Sequence, residues 1–511
     1  MAVTTFAAID VGSYDLELTI YELSAKCGIQ VVDHIRQAAA AGKDTYRQGK
    51  IGYALIDEMC QILKGFADVM QVYRISAYRA YATSALREAR NNKIVLDQIR
   101  VRTGIEVKIL SNSEQRFLCY KAIASKENEF QKIIQKGTAI ADVGSGSVQL
   151  SLFDKDALVT TQYLRLGALR IRETLGSADA DDTSMNQLIE ELADNDIQTF
   201  KKLFLKDRDI RNIIATGICA LYLNRRVSAA GHSDRISAQE FAEFYAAIRT
   251  MTPEQIGERY DIPLEYAYLM LPSMTVYSKM FEITGAEMLW VPGVNLCDGI
   301  AAEYAEQKKL MKFTHDFSED ILVAARNIAK RYMGNKRHTA MLEKTVLSIF
   351  DCMKKYHGLG KRERLLLQIS AILHDCGKYI SMRTPADCAF HIIMSTEIIG
   401  ISHEEREIVA NVVKYNTVDF SYEEDPESNR DPYTNVLIAK LTAILRIANA
   451  MDRSHKQKFD NIRTTFKNQQ LIITTESLED ITLEKALFEK KADFFEEVYG
   501  IRPILKQRKG V

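Results

Sequence analysis

The chain has no C-x-x-C pair, no surplus of either charge, and no apolar run of the roughly 18 residues that a membrane span needs. Its eight cysteines (Cys27, Cys60, Cys119, Cys219, Cys297, Cys352, Cys376 and Cys388) are scattered. That scatter argues against a structural zinc knuckle and against a disulfide framework. Several lie inside apolar runs, where a free thiol behaves as a small hydrophobe. With 67 Lys+Arg against 68 Asp+Glu, the formal charge of −1 shows none of the basic surplus usual in a nucleic-acid binder. Only Lys506, Arg508 and Lys509 cluster, and they read as a short solvated terminus. The opening Met-Ala-Val-Thr-Thr-Phe-Ala-Ala-Ile-Asp shows no basic region followed by an apolar stretch, so no signal peptide is expected. The expected compartment is a reducing cytoplasm, with neither a membrane nor a sequence-specific nucleic acid as partner.

What is present is an ordinary globular composition, 47% hydrophobic and 26% charged, on a chain too long for one core. At 511 residues it should hold roughly three or four domains. Thr5–Ile9 reads as a buried strand, Asp10-Val-Gly-Ser13 as a turn, and Leu16–Tyr21 as a second strand. Apolar positions at helical spacing follow from Leu55 to Val72. Strands are expected at Ile75–Tyr78 and Val107–Leu110, with helices starting at Ser84 and running over Ser113–Ala124. The opening pattern then returns: strand Thr138–Ala141, turn Asp142-Val-Gly-Ser-Gly-Ser147, alternating strand Val148–Leu152. Strand, Asp-Val-Gly-Ser, strand thus occurs twice, about 130 residues apart. Further strand-and-turn segments are Asn212–Gly217 and Met288–Gly293, the latter followed by a helix through Asp298 and Tyr304.

From about residue 318 charged amphipathic helices dominate, and six of the nine histidines lie there. Glu423–Pro432 reads as an exposed loop. Two short strands (Ile462–Phe466, Leu471–Thr475), a helix (Ile481–Phe495) and a last strand (Arg502–Leu505) make a small α+β tail.

A turn of glycine and small hydroxyl residues between strands points successive N–H groups into one concavity, which favours an anion. Gly12, Gly144 and Gly146 permit the tight backbone; Ser13, Ser145 and Ser147 add hydroxyl donors. The aspartate heading each loop repels phosphate unless a cation or a water intervenes, so Asp10 and Asp142 suggest Mg²⁺ or a positioned water. One such loop is an ordinary Asp-Gly turn; two copies in the same strand context argue for a phosphate cradle.

These residues resemble the exopolyphosphatase and guanosine pentaphosphate phosphatase family (Ppx/GppA), which shares the fold of sugar kinases, heat-shock chaperones and actin. Ala82-Thr-Ser-Ala-Leu-Arg-Glu-Ala89 is similar to the family's Thr-x-x-x-Arg-x-Ala segment, whose arginine, here Arg87, faces the phosphates. Leu166-Gly-Ala-Leu-Arg170 and the turn at Ala215-Thr-Gly217 match in order. The resemblance covers essentially the whole chain. It implies an α/β actin-like ATPase (ribonuclease H-like) duplicated fold, then an all-α HD-like domain and a small α+β C-terminal domain. The expected boundaries are 1–131 and 132–310 for the two actin-like subdomains, 318–458 for the HD-like domain and 459–511 for the tail. The implied activity is Mg²⁺-dependent hydrolysis of a terminal phosphoanhydride, of inorganic polyphosphate or of the guanosine polyphosphate pppGpp. A homodimer is implied as well.

The departures from the family pattern fall on the chemistry. Its first loop reads Asp-x-Gly-Ser-Asn-Ser, and here Tyr14 and Asp15 follow Ser13. The run that carries its catalytic glutamate reads Ser111-Asn-Ser-Glu-Gln-Arg-Phe117, which places Gln115 at that position and Glu114 before it. Gln149 stands where the second loop has Glu, and Cys297 where a common Leu-Arg-Glu-Gly has Arg. An amide is no general base at neutral pH, and losing a positioned base typically costs about 10² to 10⁴ in rate. A glutamine can instead orient the attacking water, as in GTPases. The catalytic candidates are therefore Glu114, Gln115, Asp142 and Gln149. The phosphate ligands would be Asp10, Gly12, Ser13, Arg87, Gly144–Ser147 and Gly217, with Mg²⁺ on Asp142 and Asp10 nearby. A hydrolase and a phosphate- or nucleotide-binding regulator without strong activity both remain open.

In the helical region His338, the pair His374-Asp375 and a later helix are similar to the metal set of HD-type phosphohydrolases. That resemblance implies a second divalent metal at His338, His374 and Asp375. The last ligand of the set, an aspartate, is matched by Asn449, with Asp452 one turn on. A polar scaffold without metal is the alternative. Arg453, His455, Lys456 and Lys458 either line a channel for a polyanion or simply end the helix.

Overall fold

A computed structural model of the chain describes residues 4–155, 157–176, 182–229, 234–422, 432–467 and 469–508. Residues 423–431 of the expected exposed loop and Lys509 of the basic tail lie outside them. The chain divides into two compact units, Met1–Asp320 and Ile321–Val511.

The first unit contains two sheets. Strands β1 (Thr4–Val11), β2 (Asp15–Ser24), β3 (Gly28–Ala38), β4 (Ala77–Ala82) and β5 (Val107–Ile109) are arranged in the order β3-β2-β1-β4-β5. The second sheet uses β6 (Thr138–Val143), β7 (Val148–Asp154), β8 (Ala157–Leu164), β9 (Asn212–Thr216), β10 (Arg235–Ser237) and β11 (Met288–Trp290), in the order β10-β11-β9-β6-β7-β8. In each, the first three strands form an antiparallel meander and the first strand also pairs in parallel with a later one. Removing the edge strand β10 makes the two orders identical, so the repeated Asp-Val-Gly-Ser turn marks a duplication of the whole sheet. The turns sit at the same place in both, between the first and second strands.

Apolar side chains explain the layering. Val148, Leu150 and Leu152 bury one face of β7 in a core shared with helix Leu264–Thr284. Leu16, Leu18 and Ile20 do the same on β2 against helix Tyr53–Val72. The sequence-based boundary at 131/132 does not follow the packing. Helix Leu296–Gln307, from the second stretch, returns to the first sheet, where Cys297, Ile300, Ala301 and Tyr304 pack with Phe6, Ala8 and Tyr21. Its apolar stripe finds the second face of that sheet uncovered, which chain order alone does not reveal. Strand β3 was not anticipated either. It is a partly solvent-facing edge strand whose apolar residues (Ile29, Val31, Val32, Ile35) do not keep the strict alternation that marks a half-buried strand.

The second unit contains the helices up to Pro432–Ala450, then strands β12 (Asp460–Lys467), β13 (Gln470–Glu476) and β14 (Pro503–Arg508) in the order β12-β13-β14 with helix Thr482–Tyr499. Among the described residues no helix is long and apolar enough to cross a membrane. All eight cysteines are free thiols.

Candidate active site

The two Asp-Val-Gly-Ser turns close in the same way: the Gly12 N–H donates to the Asp15 carbonyl at 2.9 Å, and the Gly144 N–H to the Ser147 carbonyl at 3.0 Å. Each is also gripped by the N-terminus of the helix that follows the third strand of its sheet. Gly42 N–H, on helix Ala41–Gln48, donates to the Ser13 carbonyl at 2.6 Å. Ala168 and Leu169 N–H, on helix Ala168–Leu175, donate to the carbonyls of Gly144 (3.1 Å) and Ser145 (2.9 Å). Free helix-terminal donors thus fix both loops.

Between the loops lies a cavity of about 110 Å³. Of the sequence-predicted residues, Asp10, Gly12 and Ser13, the stretch Gly144–Ser147, Asp142, Gln115 and Gly217 line it. Gly217 has φ +111°, and a Cβ there would stand 2.2 Å from the Val143 carbonyl oxygen, so only glycine fits that turn.

Three predicted residues are not brought to the cavity wall. The Glu114 carboxylate accepts from the Ser111 N–H (2.9 Å) and hydroxyl (2.7 Å), capping helix Asn112–Ala124. Arg87 lies behind Gln115, donating to the Leu110 carbonyl (2.7 Å) and to Gln115 Oε1 (3.4 Å). Gln149 faces Asp142 across the β6–β7 register but is only 2% exposed, and its amide finds no hydrogen-bond partner among the described residues.

The wall also holds groups that sequence reading missed. Register places Asp10, Glu17 and Arg36 in one row across β1, β2 and β3. Arg36 donates to Glu17 (2.6 Å) and pairs with Asp15 (3.0 Å), while His34 contacts Glu17 at 2.9 Å. Burial pushes the Asp10 carboxyl well above the usual range, with the charges of Glu17 and Asp15 adding to it. Burial likewise pushes Asp15 up to about 6, against the pull of Arg36. Glu17 feels the same burial, yet its His34 hydrogen bond and Arg36 hold it below the usual value. Asp142 is raised by burial and moderated by the Thr216 hydroxyl, which donates to it at 2.9 Å. The signal for this row was the charged residues alternating along β3, legible only once β3 is known to be a strand.

Tyr46 is the other omission. Its hydroxyl donates to Ser13 Oγ at 2.8 Å and lies 3.2 Å from Ser84 Oγ. Arg170 stacks 3.8 Å above its ring, donates to the Gly146 carbonyl at 2.7 Å and to Glu88 at 2.6 Å. A Cβ on Gly146 would meet the Tyr46 oxygen at 1.9 Å, so this glycine lets the two loops and the ring share one spot.

Two sheets of one topology, each presenting an aspartate-headed loop to a shared cavity, accord with what the whole-chain comparison finds. Residues 19–307 match the model of the Ppx/GppA phosphatase family, and residues 323–492 match that of Ppx/GppA phosphatase, domain III. The chain belongs to the Ppx/GppA phosphatase family. Among its relatives, guanosine-5′-triphosphate,3′-diphosphate pyrophosphatase of Aeromonas hydrophila is 20% identical over 452 residues, 87% of this chain and 86% of that protein. Exopolyphosphatase 1 of Mycobacterium bovis is 24% identical over 163 residues, 32% of this chain and 46% of that protein. Among solved structures, an exopolyphosphatase from Cytophaga hutchinsonii has a TM-score of 0.51 at 15% identity, covering 60% of this chain and 99% of its own. An exopolyphosphatase-like protein reaches 0.52 at 19%, covering 60% and 100%. These two likenesses speak to the fold, which in Ppx/GppA proteins is of the actin-like ATPase type.

The part matched by Ppx/GppA domain III holds the histidine cluster. His338 Nδ1 is 2.8 Å from Asp452 Oδ2, and its Nε2 is 3.1 Å from Asn449 Oδ1. His374 Nδ1 is 2.8 Å from the Ala371 carbonyl, and its Nε2 is 3.4 Å from Asp375 Oδ1. His455, from the basic cluster, stacks on the His338 ring at 3.9 Å between centroids. Lys458 of that cluster is engaged by Glu484 and the Asp480 carbonyl.

Proposed function

We propose that this chain is a Mg²⁺-dependent phosphoanhydride hydrolase of the exopolyphosphatase type, releasing terminal phosphate from polyphosphate or the 5′-phosphate of pppGpp. The convergence of two aspartate-headed loops on one cavity carries this reading. The donor set fits a hard divalent cation: Asp10 Oδ1 is buried without a hydrogen-bond partner among the described residues, and Asp142 faces the same cavity. Asp10 and Asp142 would hold Mg²⁺, which when bound offsets the phosphate charge and the crowding of carboxylates. The glycine-rich loops bind the terminal phosphoryl group through backbone N–H groups and the serine hydroxyls. Gln115, braced by Arg87, presents an amide that orients a water without taking its proton. The names of the relatives support both substrates, one each.

A second reading, a polyphosphate- or nucleotide-binding regulator with weak or lost catalysis, is favoured by Gln115 and by the Ser13 hydroxyl, which Tyr46 and Ser84 already engage. Phosphate release from polyphosphate and pppGpp with Mg²⁺, comparing the parent with Gln115→Glu, separates the two. Turnover by the parent removes the regulator. Tight binding without turnover, with release appearing in Gln115→Glu, removes the hydrolase. The homodimer belongs to the same proposal and is read by light scattering.

A further inference from the structure

The three hydroxyls at the seam of the two loops use their protons in one direction only. Ser13 Oγ accepts from the Ala85 N–H at 3.1 Å and from the Tyr46 hydroxyl at 2.8 Å. A serine oxygen has two lone pairs, so both are taken, and its own proton is left for the third neighbour, Ser84 Oγ at 2.8 Å. Tyr46 is a secure donor at the head of this sequence, because burial raises its phenol above the ordinary value. Donation therefore runs from Tyr46 to Ser13 to Ser84.

The Ser84 proton is the one that remains. Its acceptor among the described residues is the Tyr46 oxygen at 3.2 Å, beyond the usual range of about 2.5–3.0 Å for an O–H···O bond. That contact closes a cycle of three hydroxyls at its longest edge. Ser13 and Ser84 line the cavity, and Tyr46 lies behind them. Of the segment Ala82–Ala89, Thr83 and Ser84 reach the cavity, whereas Arg87 is turned to the Leu110 carbonyl. A Cβ on Gly146 would stand 2.2 Å from Ser84 Oγ and 2.9 Å from Ser13 Oγ, so the backbone of the second loop passes directly beside the cycle. The least committed proton of the cavity wall thus lies where the two loops meet.

We propose, resting on the reading of the cavity as a phosphate site, that Ser84 rather than Ser13 is the hydroxyl ligand of the terminal phosphoryl group, and that Tyr46 is a positioning residue that aims it through Ser13. A phosphoryl oxygen is a charged acceptor, and it draws the Ser84 proton off the long Tyr46 contact without breaking another bond of the cycle. Hydroxyls donating in the same sense polarise one another, which strengthens the last of them. Tyr46 and Ala85 pin the Ser13 proton along the line to Ser84, so Ser13 cannot turn to serve the phosphate itself. Arg170, stacked on the Tyr46 ring and bound to the Gly146 carbonyl and to Glu88, holds the phenol from behind. The engaged Ser13 hydroxyl is then one link of the donor.

The test is calorimetric titration of the full chain with inorganic phosphate in the presence of Mg²⁺, which needs no turnover. The parent binds phosphate, and Ser84→Ala weakens binding about ten-fold or more, the loss of a hydrogen bond to a charged group. Ser13→Ala weakens it by about three-fold, since Tyr46 then donates to Ser84 directly and only the polarisation is lost. In Tyr46→Phe the aromatic ring stays under Arg170, while the Ser13 hydroxyl is unpinned and free to turn to the phosphate. Ser84→Ala therefore costs at least about three-fold less in that background than in the parent. A purely structural Tyr46 gives the same Ser84→Ala penalty in both backgrounds, and that equality overturns its positioning role. Ser84→Ala binding like the parent, or Ser13→Ala losing as much as Ser84→Ala, overturns the assignment and leaves the phosphate cavity in place. A parent that binds no phosphate overturns the cavity reading and this proposal with it.

Discussion

Single residues set the charge of the cleft, and the sign of that charge makes a stability prediction. Asp15 is half-buried, its side chain 17% exposed, and desolvation pushes its carboxyl up to about 6, above the unfolded value of about 3.9. Between these two values the folded state binds more protons than the unfolded one, so this contribution falls as pH rises, and the full cost is reached above about 6. The difference amounts to about 3 kcal/mol at most. Asp15→Asn is expected to flatten the decline in unfolding free energy between about pH 4 and pH 6 in chelator-treated protein. An unchanged slope in denaturant titrations across that window would show that Asp15 is not the group responsible. At the same scale, Glu114 and Gln115 are neighbours with different fates. Ser111-Asn-Ser-Glu114 has the spacing of a capping box, so the engagement of Glu114 by its own helix terminus was readable from the sequence. That Gln115 reaches the cavity depends on where helix Asn112–Ala124 is pressed, and no local pattern states it.

Among the elements, that helix is the one whose position matters most, because it carries both Gln115 and Cys119 to the cavity. It is held from behind by helix Leu296–Gln307, and Gly299 allows the contact: a Cβ there would lie 2.0 Å from the Leu118 carbonyl oxygen. Backbone cannot step aside as a flexible side chain can. Gly299→Ala should therefore cost about 1–3 kcal/mol, measured by denaturant midpoint, and should lower phosphate release by displacing Gln115. Gly65, within helix Tyr53–Val72, is the contrasting case, since nothing lies within 4 Å of its Cβ position. Gly65→Ala should stabilise by up to about 1 kcal/mol on helix propensity alone. If the two substitutions behave alike, the close approach at Gly299 is not what holds the helix. Both helices were expected from the sequence, Tyr53–Val72 from its apolar spacing and Leu296–Gln307 from its place after the strand and turn at Met288–Gly293. Strand β3 was not, because an edge strand open to solvent needs no strict apolar alternation, and with it went the row of Glu17, Arg36 and His34.

On the scale of the whole molecule, the two compact units predict separable folding. The solved exopolyphosphatase-type structures match 60% of this chain over essentially their full length, and the first unit holds both duplicated sheets. A fragment of residues 1–331, ending with helix Phe317–Arg331, is expected to unfold cooperatively with native near-ultraviolet dichroism. A broad, non-cooperative melt would show that it needs the rest of the chain. The sequence by itself determined that two Asp-Val-Gly-Ser turns exist, each between strands, because glycine, small hydroxyls and flanking apolar runs act over a few residues. It also determined the helical texture beyond residue 318. Only the tertiary structure decided that the turns face one cavity, that Tyr46 and Arg170 join them, that helix Leu296–Gln307 crosses back to the first sheet, and that His455 meets His338. Those are contacts between residues tens to hundreds of positions apart, fixed by which apolar faces find each other, and no short-range pattern in the chain encodes them.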